Sequence, residues 1–173
     1  MNWTFRPACS GDLPQIVEIY NQSVVTLEST CDTEPVSVAS REVWFERHLA
    51  TSCRPLWVAQ SDDLALPGLA GYLSFSHFMN ERPGYSITAD MGLYLHRDAQ
   101  GKGLGTFLLR NAIEAAPSLG IETLATTIFA SNIASLRLFK GQGFGEWGYM
   151  PRVARLRGIE RDLIMVGRRV VLD

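Results

Sequence analysis

A chain of 173 residues with 46% hydrophobic residues and a formal net charge of −2 is long enough for one buried core and too short for two full domains. We therefore expect a single domain over residues 1–173. The nearly balanced charge gives no bulk attraction to nucleic acid or to an acidic membrane surface, so a small molecule is the favoured class of partner.

The cysteines and the N-terminal residues indicate the cellular compartment. Cys9, Cys31 and Cys53 are odd in number, widely spaced and free of any Cys-x-x-Cys pairing, which argues against a disulfide framework and a zinc site. The first residues show no basic segment followed by an apolar one, and no apolar run approaches membrane length. We expect a cytoplasmic protein that binds neither metal nor membrane.

The first fifty residues predict a strand, a helix, a loop and a second helix. A β-prone run over 3–8 predicts the strand, and Asp12 with Gln15 three residues later predicts an N-cap and a helix to about Val24. The polar segment 27–38 predicts a loop that is a candidate lid or substrate wall.

A second helix is predicted from Ser40 to before Ser52, with His48 as an ordinary residue on its face. Strands are then predicted at 56–59 and 69–78 around a turn at 62–68, and a further strand at 85–95.

The stretch Gln100-Gly101-Lys102-Gly103-Leu104-Gly105-Thr106 joins this last strand to an amphipathic helix that stops before Pro117 and Gly120. Glycines on alternate positions leave backbone N–H groups uncovered, and the helix adds the positive end of its dipole. Such a turn predicts a site for an anion of the phosphate or pyrophosphate kind.

The spacing separates three kinds of phosphate loop. A P-loop requires Gly-x-x-x-x-Gly-Lys-Ser/Thr, whereas Lys102 precedes the last glycines of this stretch. A dinucleotide fingerprint requires a glycine where Thr106 stands, so that alternative is weak. The remaining pattern is Gln/Arg-x-x-Gly-x-Gly/Ala, although a tight turn that binds nothing stays open on this motif alone.

The rest of the chain predicts a buried strand at 121–128, a short helix capped by Asn132, and two strands around Arg157-Gly158. The order of elements indicates an α+β or α/β protein with a mixed sheet.

Two motifs together resemble the GNAT superfamily of N-acyltransferases. The first is Gln100-x-x-Gly103-x-Gly105, and the second is the run from Asn132 to Phe144, with Asn, a small residue, an apolar pair and then Gly-Phe. The resemblance covers nearly the whole chain and implies a mixed, mostly antiparallel twisted sheet of about seven strands flanked by about four helices. Further matches, Tyr20-Asn21, Thr33-Glu34-Pro35, Trp44-Phe45 and the 148–162 tail, are similar to the phosphinothricin and methionine sulfoximine acetyltransferase branch.

The resemblance implies acetyl-CoA as co-substrate and assigns its contacts. The loop would hold the pyrophosphate, the main chain of the preceding strand would pair with the pantetheine arm, and the start of the later helix would contact that arm. The residues concerned are Gln100, Gly101, Lys102, Gly103, Leu104, Gly105 and Thr106 in the loop, Leu93, Tyr94 and Leu95 in the strand, and Asn132 with Ser135 in the helix.

The transfer requires a neutral amine, so a base is expected. Asp90 aligns with an acidic residue proposed as that base in the branch, with a water relay favoured by the short side chain; an ordinary strand-end carboxylate is the alternative. Phe139 departs from the tyrosine or histidine common at its position, and a phenyl ring cannot protonate the leaving thiolate.

An amino-acid-like acceptor needs a cation for its carboxylate. Arg82 and Arg152 are the candidates, and Tyr85 is a candidate wall of the acceptor pocket. We expect an N-acetyltransferase acting on a small amino-acid-like amine of the methionine sulfoximine or phosphinothricin kind. The alternatives are a peptide or protein N-terminal acetyltransferase and a catalytically silent acyl-CoA-binding module, with a nucleotide-binding protein a distant third. The branch also implies a homodimer.

Overall fold

A seven-stranded sheet organises the chain in the computed structural model, which describes residues 2–63 and 68–171. Within those residues the spatial order is β1-β2-β3-β4-β5-β7-β6, and the pairing of β4 with β5 is the one parallel pairing. The predicted mixed, mostly antiparallel sheet is therefore confirmed. The strands are β1 (Trp3–Pro7), β2 (Leu56–Ser61), β3 (Leu69–His77), β4 (Thr88–Leu95), β5 (Thr123–Phe129), β6 (Gly145–Leu156) and β7 (Ile159–Arg169).

Four α-helices cover the two faces of the sheet. They are α1 (Leu13–Thr26), α2 (Val38–Leu49), α3 (Leu104–Ala115) and α4 (Ile133–Gly141). On one face α1 and α2 bury a cluster that includes Ile16, Phe45 and Tyr72. On the other face α3 packs fully buried Leu104, Leu108 and Leu109 against the sheet, and α4 adds Phe139. This apolar burial drives the two-sided packing.

The capping prediction at Asp12 is right in position and wrong in mechanism. The Asp12 carboxylate accepts two hydrogen bonds from Arg6, at 2.7 and 2.8 Å, and one from the Cys9 backbone at 2.7 Å. It therefore closes the 3-10 turn Ser10–Asp12 that precedes α1, and the Arg6 hydrogen bond lowers the pKa of Asp12. Gln15 turns instead to β3, where its Oε1 accepts from the Leu69 backbone at 2.8 Å.

Two predicted boundaries shift for local reasons. The second helix begins at Val38, ahead of Ser40, because the Ser37 hydroxyl accepts from the Ser40 backbone and forms the N-cap. The strand predicted from Tyr85 begins at Thr88, because Pro83–Tyr85 forms a 3-10 turn. The turn predicted at 62–68 lies largely outside the described residues.

Candidate functional site

The parallel strands β4 and β5 separate in the middle of the sheet. They pair only over residues 88–90 and 123–125, although β4 continues to Leu95 and β5 to Phe129. Just beyond the last pair, the Thr126 hydroxyl donates to the Met91 carbonyl at 2.8 Å. The separation leaves main-chain groups of β4 facing a gap, where an extended ligand arm can pair with them.

A cavity of about 330 Å³ occupies this gap and is lined from both faces of the sheet. The α1–α2 face contributes Tyr20 and Arg41, and the α4 end contributes Asn132 and Ser135. A second cavity of about 180 Å³ lies toward the end of β3, and Asp90, Thr126 and Thr127 line both. The site thus crosses the sheet, with Asp90 where the two cavities adjoin.

The glycine turn has the backbone geometry of an anion cradle. Gly101 and Gly103 have φ of +69° and +87°, and a Cβ at either position would meet no atom within 4 Å. Gly103 is the N-cap of α3, whose first hydrogen bond runs from Phe107 N to Gly103 O at 3.0 Å, so the preceding N–H groups have no partner within the helix. Trp3 Nε1 donates to the Lys102 carbonyl at 3.2 Å and anchors the turn.

Gly105 has a different reason to be glycine. A Cβ there would lie 2.9 Å from Leu138 Cδ2, so its absence allows α3 to pack closely against α4. The turn therefore combines two glycines that face open space with one glycine that serves packing.

Asn132 connects α4 to the loop that follows α1. Its Oδ1 accepts from the Ser135 backbone at 3.0 Å, which confirms the predicted cap. Its Nδ2 donates to the Glu28 carbonyl at 3.0 Å and to Ser29 Oγ at 3.2 Å. Residues 28–31, within the predicted loop 27–38, accordingly line the main cavity.

Asp90 lies on β4 directly opposite Ser76 of β3. Burial raises the pKa of the Asp90 carboxyl to about 6, although a hydrogen bond from the Met91 backbone opposes the shift. An aspartate in this environment is ionised at neutral pH and can still take up a proton, as a general base must.

A polar cluster on the α1–α2 face was not anticipated from the sequence. Arg41 of α2 donates to Asp32 at 2.8 Å and lies 4.5 Å from the centroid of the Tyr20 ring. Tyr20 in turn donates to Asp32 at 2.7 Å and lies 2.5 Å from the Thr30 hydroxyl. Burial, followed by the Asp32 hydrogen bond, raises the pKa of Tyr20. No short motif marks this cluster, because its members come from α1, the loop and α2.

The predicted acceptor residues do not line either cavity. Among the residues that the structure describes, Arg82, Tyr85 and Arg152 line neither one. Arg82 is exposed in the turn before β4, and Tyr85 packs edge-on against Phe78 with ring centroids 5.7 Å apart. Arg152 lies on β6 and forms an ion pair of 3.8 Å with Glu160.

The predicted cofactor residues fall into two groups: those of the glycine turn, residues 100–106, line neither cavity, whereas those of β4 and α4 lie at the gap. Leu93 and Tyr94 line the cavity, and Leu95 lies at the end of β4, where its carbonyl accepts from Gln100 Nε2 at 3.4 Å. Phe139 also lines the cavity while its buried ring meets Phe144 edge-on at 5.0 Å. The α4 side of the cavity thus presents a phenyl ring, which has no proton to donate.

Metal-binding clusters and membrane-spanning helices do not occur within residues 2–63 and 68–171. No group of three or more His, Cys, Asp or Glu there is arranged to hold a metal. None of the helices in those residues has the length and apolar character that crossing a membrane demands. All three cysteines are exposed free thiols, and burial raises the pKa of Cys31, which lines the main cavity.

Comparisons with known proteins agree with this geometry. The chain is 40% identical to the Bacillus subtilis protein named "Putative phosphinothricin acetyltransferase YwnH" over 96% of this chain and 99% of that protein. It is 34% identical to the L-methionine sulfoximine/L-methionine sulfone acetyltransferase of Pseudomonas aeruginosa, covering 94% and 92% of the two chains. A phosphinothricin acetyltransferase structure from Sinorhizobium meliloti in complex with AcCoA superimposes with a TM-score of 0.89 at 28% identity, covering 98% and 89%. The sequence model of the Acetyltransferase (GNAT) family matches residues 21–144, so the chain belongs to that family and is an N-acetyltransferase.

Proposed function

We propose that this enzyme transfers the acetyl group of acetyl-CoA to the amine of a small amino-acid-like acceptor, of the methionine sulfoximine or phosphinothricin class, with Asp90 as the base. The observation that carries the proposal is the Asp90 carboxyl, with its pKa raised to about 6, at the junction of the two cavities. Acetyl-CoA supplies an activated acetyl group as a thioester. The acceptor class follows the names of the relatives.

The proposed cofactor contacts fit the backbone. The open turn at Gly101 and Gly103 and the N–H groups at the start of α3 suit a pyrophosphate. The main chain of β4 beyond Asp90 faces the gap and suits the pantetheine arm. Asn132 and Ser135 lie at the far wall of the same cavity.

Asp90 is proposed to remove the proton from the bound ammonium group of the acceptor. Amines of this kind are protonated at neutral pH, and a protonated amine has no lone pair with which to attack. The carboxylate would accept that proton directly or through one water. The neutral amine would then form the new C–N bond at the thioester carbonyl carbon, the C–S bond would break, and the CoA thiolate would leave while the second amine proton passes to it or to water.

Arg41 is proposed as the cation for the acceptor carboxylate. Among the described residues that line the two cavities, it is the one lysine or arginine. The guanidinium has five N–H donors, and the bond to Asp32 uses only the Nη2 group. Arg82 and Tyr85 stay candidates at the rim, because Phe78 and Met79 of the same segment line the second cavity. Arg152 stays a candidate that requires movement of β6.

The test is thiol release from acetyl-CoA across a panel of amines: methionine sulfoximine, methionine sulfone, phosphinothricin, ordinary amino acids, polyamines and short peptides. Saturable release with one of the amino-acid analogues is the expected result. Release with peptides alone would replace the acceptor class with a peptide N-terminus. Binding of acetyl-CoA with no release on any amine would support the silent module instead.

The single domain over residues 1–173, the homodimer and the cytoplasmic location remain predictions. Exposed Trp147, Tyr149 and Val153 on the edge strand β6 offer apolar surface for a second copy. Light scattering at several protein concentrations measures the mass, and a monomer throughout would contradict the homodimer.

A further inference from the structure

His48 is held on α2 by two contacts that fix which ring nitrogen carries the proton. Nδ1 lies 2.9 Å from the Trp44 carbonyl, and Nε2 lies 3.4 Å from the Ser76 hydroxyl. A carbonyl oxygen can only accept, so the proton of neutral His48 is on Nδ1. Nε2 therefore presents a lone pair and accepts from the Ser76 hydroxyl.

Ser76 connects His48 to the cavity. It lies on β3 directly opposite Asp90, and both residues line the main cavity. Directly opposed residues of antiparallel strands point to the same face, with Cβ atoms about 4.5–5.5 Å apart. Because the hydroxyl proton is directed at His48, the lone pairs of the Ser76 oxygen are available to a protonated Asp90.

We propose that Ser76 and His48 form a proton relay that returns Asp90 to its ionised form after each deprotonation of the acceptor. The inference rests on the proposed role of Asp90 as base. In the relay step the O–H bond of the Asp90 carboxyl breaks and its proton passes to Ser76 Oγ, directly or through one water. The former hydroxyl proton of Ser76 passes to His48 Nε2, so the step yields a carboxylate and an imidazolium and needs no further reactant.

The surroundings of His48 suit a transient positive charge. The residue lies in the last turn of α2, where the helix dipole favours a cation. Its ring centroid is 4.7 Å from that of the Trp44 ring, with the two planes tilted by 54°, so the imidazole lies within the distance of about 6 Å at which an aromatic ring attracts a cation. The residue is 9% exposed, so the ring is largely shielded from solvent while His48 lies close enough to the surface for the proton to leave in a later step.

The relay matters because the acceptor fills the cavity during turnover. A bound acceptor separates Asp90 from bulk solvent, which would otherwise take the proton away. The path through Ser76 lies in the wall of the cavity, so an acceptor does not block it. Ser76 and His48 are thus positioning residues that act on the reaction through Asp90.

The decisive variant is His48→Gln. Glutamine offers Oε1 as an acceptor for the Ser76 hydroxyl but cannot take up a proton. We expect kcat to fall about 10-fold, less than for loss of a general base because solvent still exchanges slowly with Asp90, with both KM values unchanged within about 2-fold. Ser76→Ala should give the same fall, Ser76→Thr should restore turnover, and the double variant His48→Gln/Ser76→Ala should be no worse than either single variant.

A matched control is Arg47→Gln, which changes the exposed neighbouring residue on the same helical turn and should leave kcat unchanged. A His48→Gln enzyme with wild-type kcat would show that the contact is structural only and overturn the relay. A fall in kcat for Ser76→Ala but not for His48→Gln would also overturn the relay, since Ser76 would then contact the acceptor directly.

The Asp90→Asn background separates this inference from the proposed function. With Asp90 removed, His48→Gln should cause no additional loss, and a further fall would overturn the relay. If Asp90→Asn by itself keeps full turnover, the proposed base is wrong. If Asp90→Asn is inactive and His48→Gln is fully active, only the relay is wrong.

Discussion

The proposed cofactor side and the proposed acceptor side of the site are built in different ways. The proposed cofactor side consists mainly of backbone: a turn with two open glycines, the N-terminus of α3 and one edge of β4. The proposed acceptor side consists of side chains from distant parts of the chain, with Arg41 and Tyr20 on two helices and Ser76 on β3. A backbone cradle recognises a group common to all members of a family, whereas assembled side chains recognise one acceptor.

The largest expected effect comes from Asp90→Asn, where the two sides meet. We expect kcat to fall by about 10²–10⁴-fold, the usual contribution of a general base, with little change in acetyl-CoA affinity. In the wild type, kcat should rise with pH through about 6 and then level off, because the pKa of Asp90 is about 6. Steady-state kinetics from pH 5 to 9 measures both the fall in kcat of the variant and the pH dependence of kcat in the wild type. Turnover that is unaffected at every pH would remove Asp90 from the mechanism.

The same variant should be more stable than the wild type above pH 6. The pKa of Asp90 is about 6 in the folded protein and about 3.9 in the unfolded chain. Since the unfolded carboxyl ionises first, the free energy of unfolding falls as pH rises from about 4 to 6 and stays low above that. Asparagine removes the cost of burying the ionised carboxyl. Urea unfolding at pH 8 should therefore give the variant a free energy of unfolding about 2 kcal/mol higher than that of the wild type. A loss of stability would indicate that the introduced side-chain amide is buried without a hydrogen-bond partner.

On the cofactor side, Gly103→Val should raise the KM for acetyl-CoA about 100-fold or more and leave the acceptor KM unchanged. Valine is strained at φ +87° and places methyl groups over the N–H groups of the turn. Gly120→Val is the matched control, since Gly120 also has positive φ and open space but lies beyond α3, away from the cavity. An equal rise in the KM for acetyl-CoA in both variants would show that backbone strain alone weakens acetyl-CoA binding.

The same contrast explains which parts of the candidate site can be predicted from the sequence. The turn and its helix are contiguous, and glycine spacing reports backbone conformation directly, so residues 100–106 and the cap at Asn132 could be predicted. Arg41 could not, because its position in the cavity depends on how α2 packs across the sheet. The sequence offers Arg82 and Arg152 as cations by position alone, whereas β3 register and helix packing decide which side chains reach the cavity. For the same reason the sequence shows His48 only as a residue on a helix face.

On the acceptor side, Arg41→Gln should raise the acceptor KM about 10-fold, the value of one charge-assisted hydrogen bond, without changing the KM for acetyl-CoA. The effect should disappear with an acceptor that has the amine and lacks the carboxylate. Glutamine substitutions at Arg82 and Arg152 provide the comparison. If Arg82→Gln shows the carboxylate-dependent loss and Arg41→Gln does not, the acceptor binds near the second cavity and Arg41 only supports the loop through Asp32.

The smallest expected effect is that of Phe139→Tyr, which adds a hydroxyl at the boundary between the two sides. Phe139 lines the cavity, so the variant tests whether a hydroxyl on this ring assists the leaving thiolate. A thiol has an unperturbed pKa of about 8.5, so the thiolate leaves near neutral pH without an acid, and kcat should change by less than about 3-fold. Phe144→Tyr is the control, because it adds the same hydroxyl to the partner ring outside the cavity lining. A 10-fold or larger gain in kcat for Phe139→Tyr, but not for Phe144→Tyr, would show that protonation of the leaving thiolate limits turnover in the native enzyme. The slow step would then lie at the phenyl ring of Phe139 and not at Asp90.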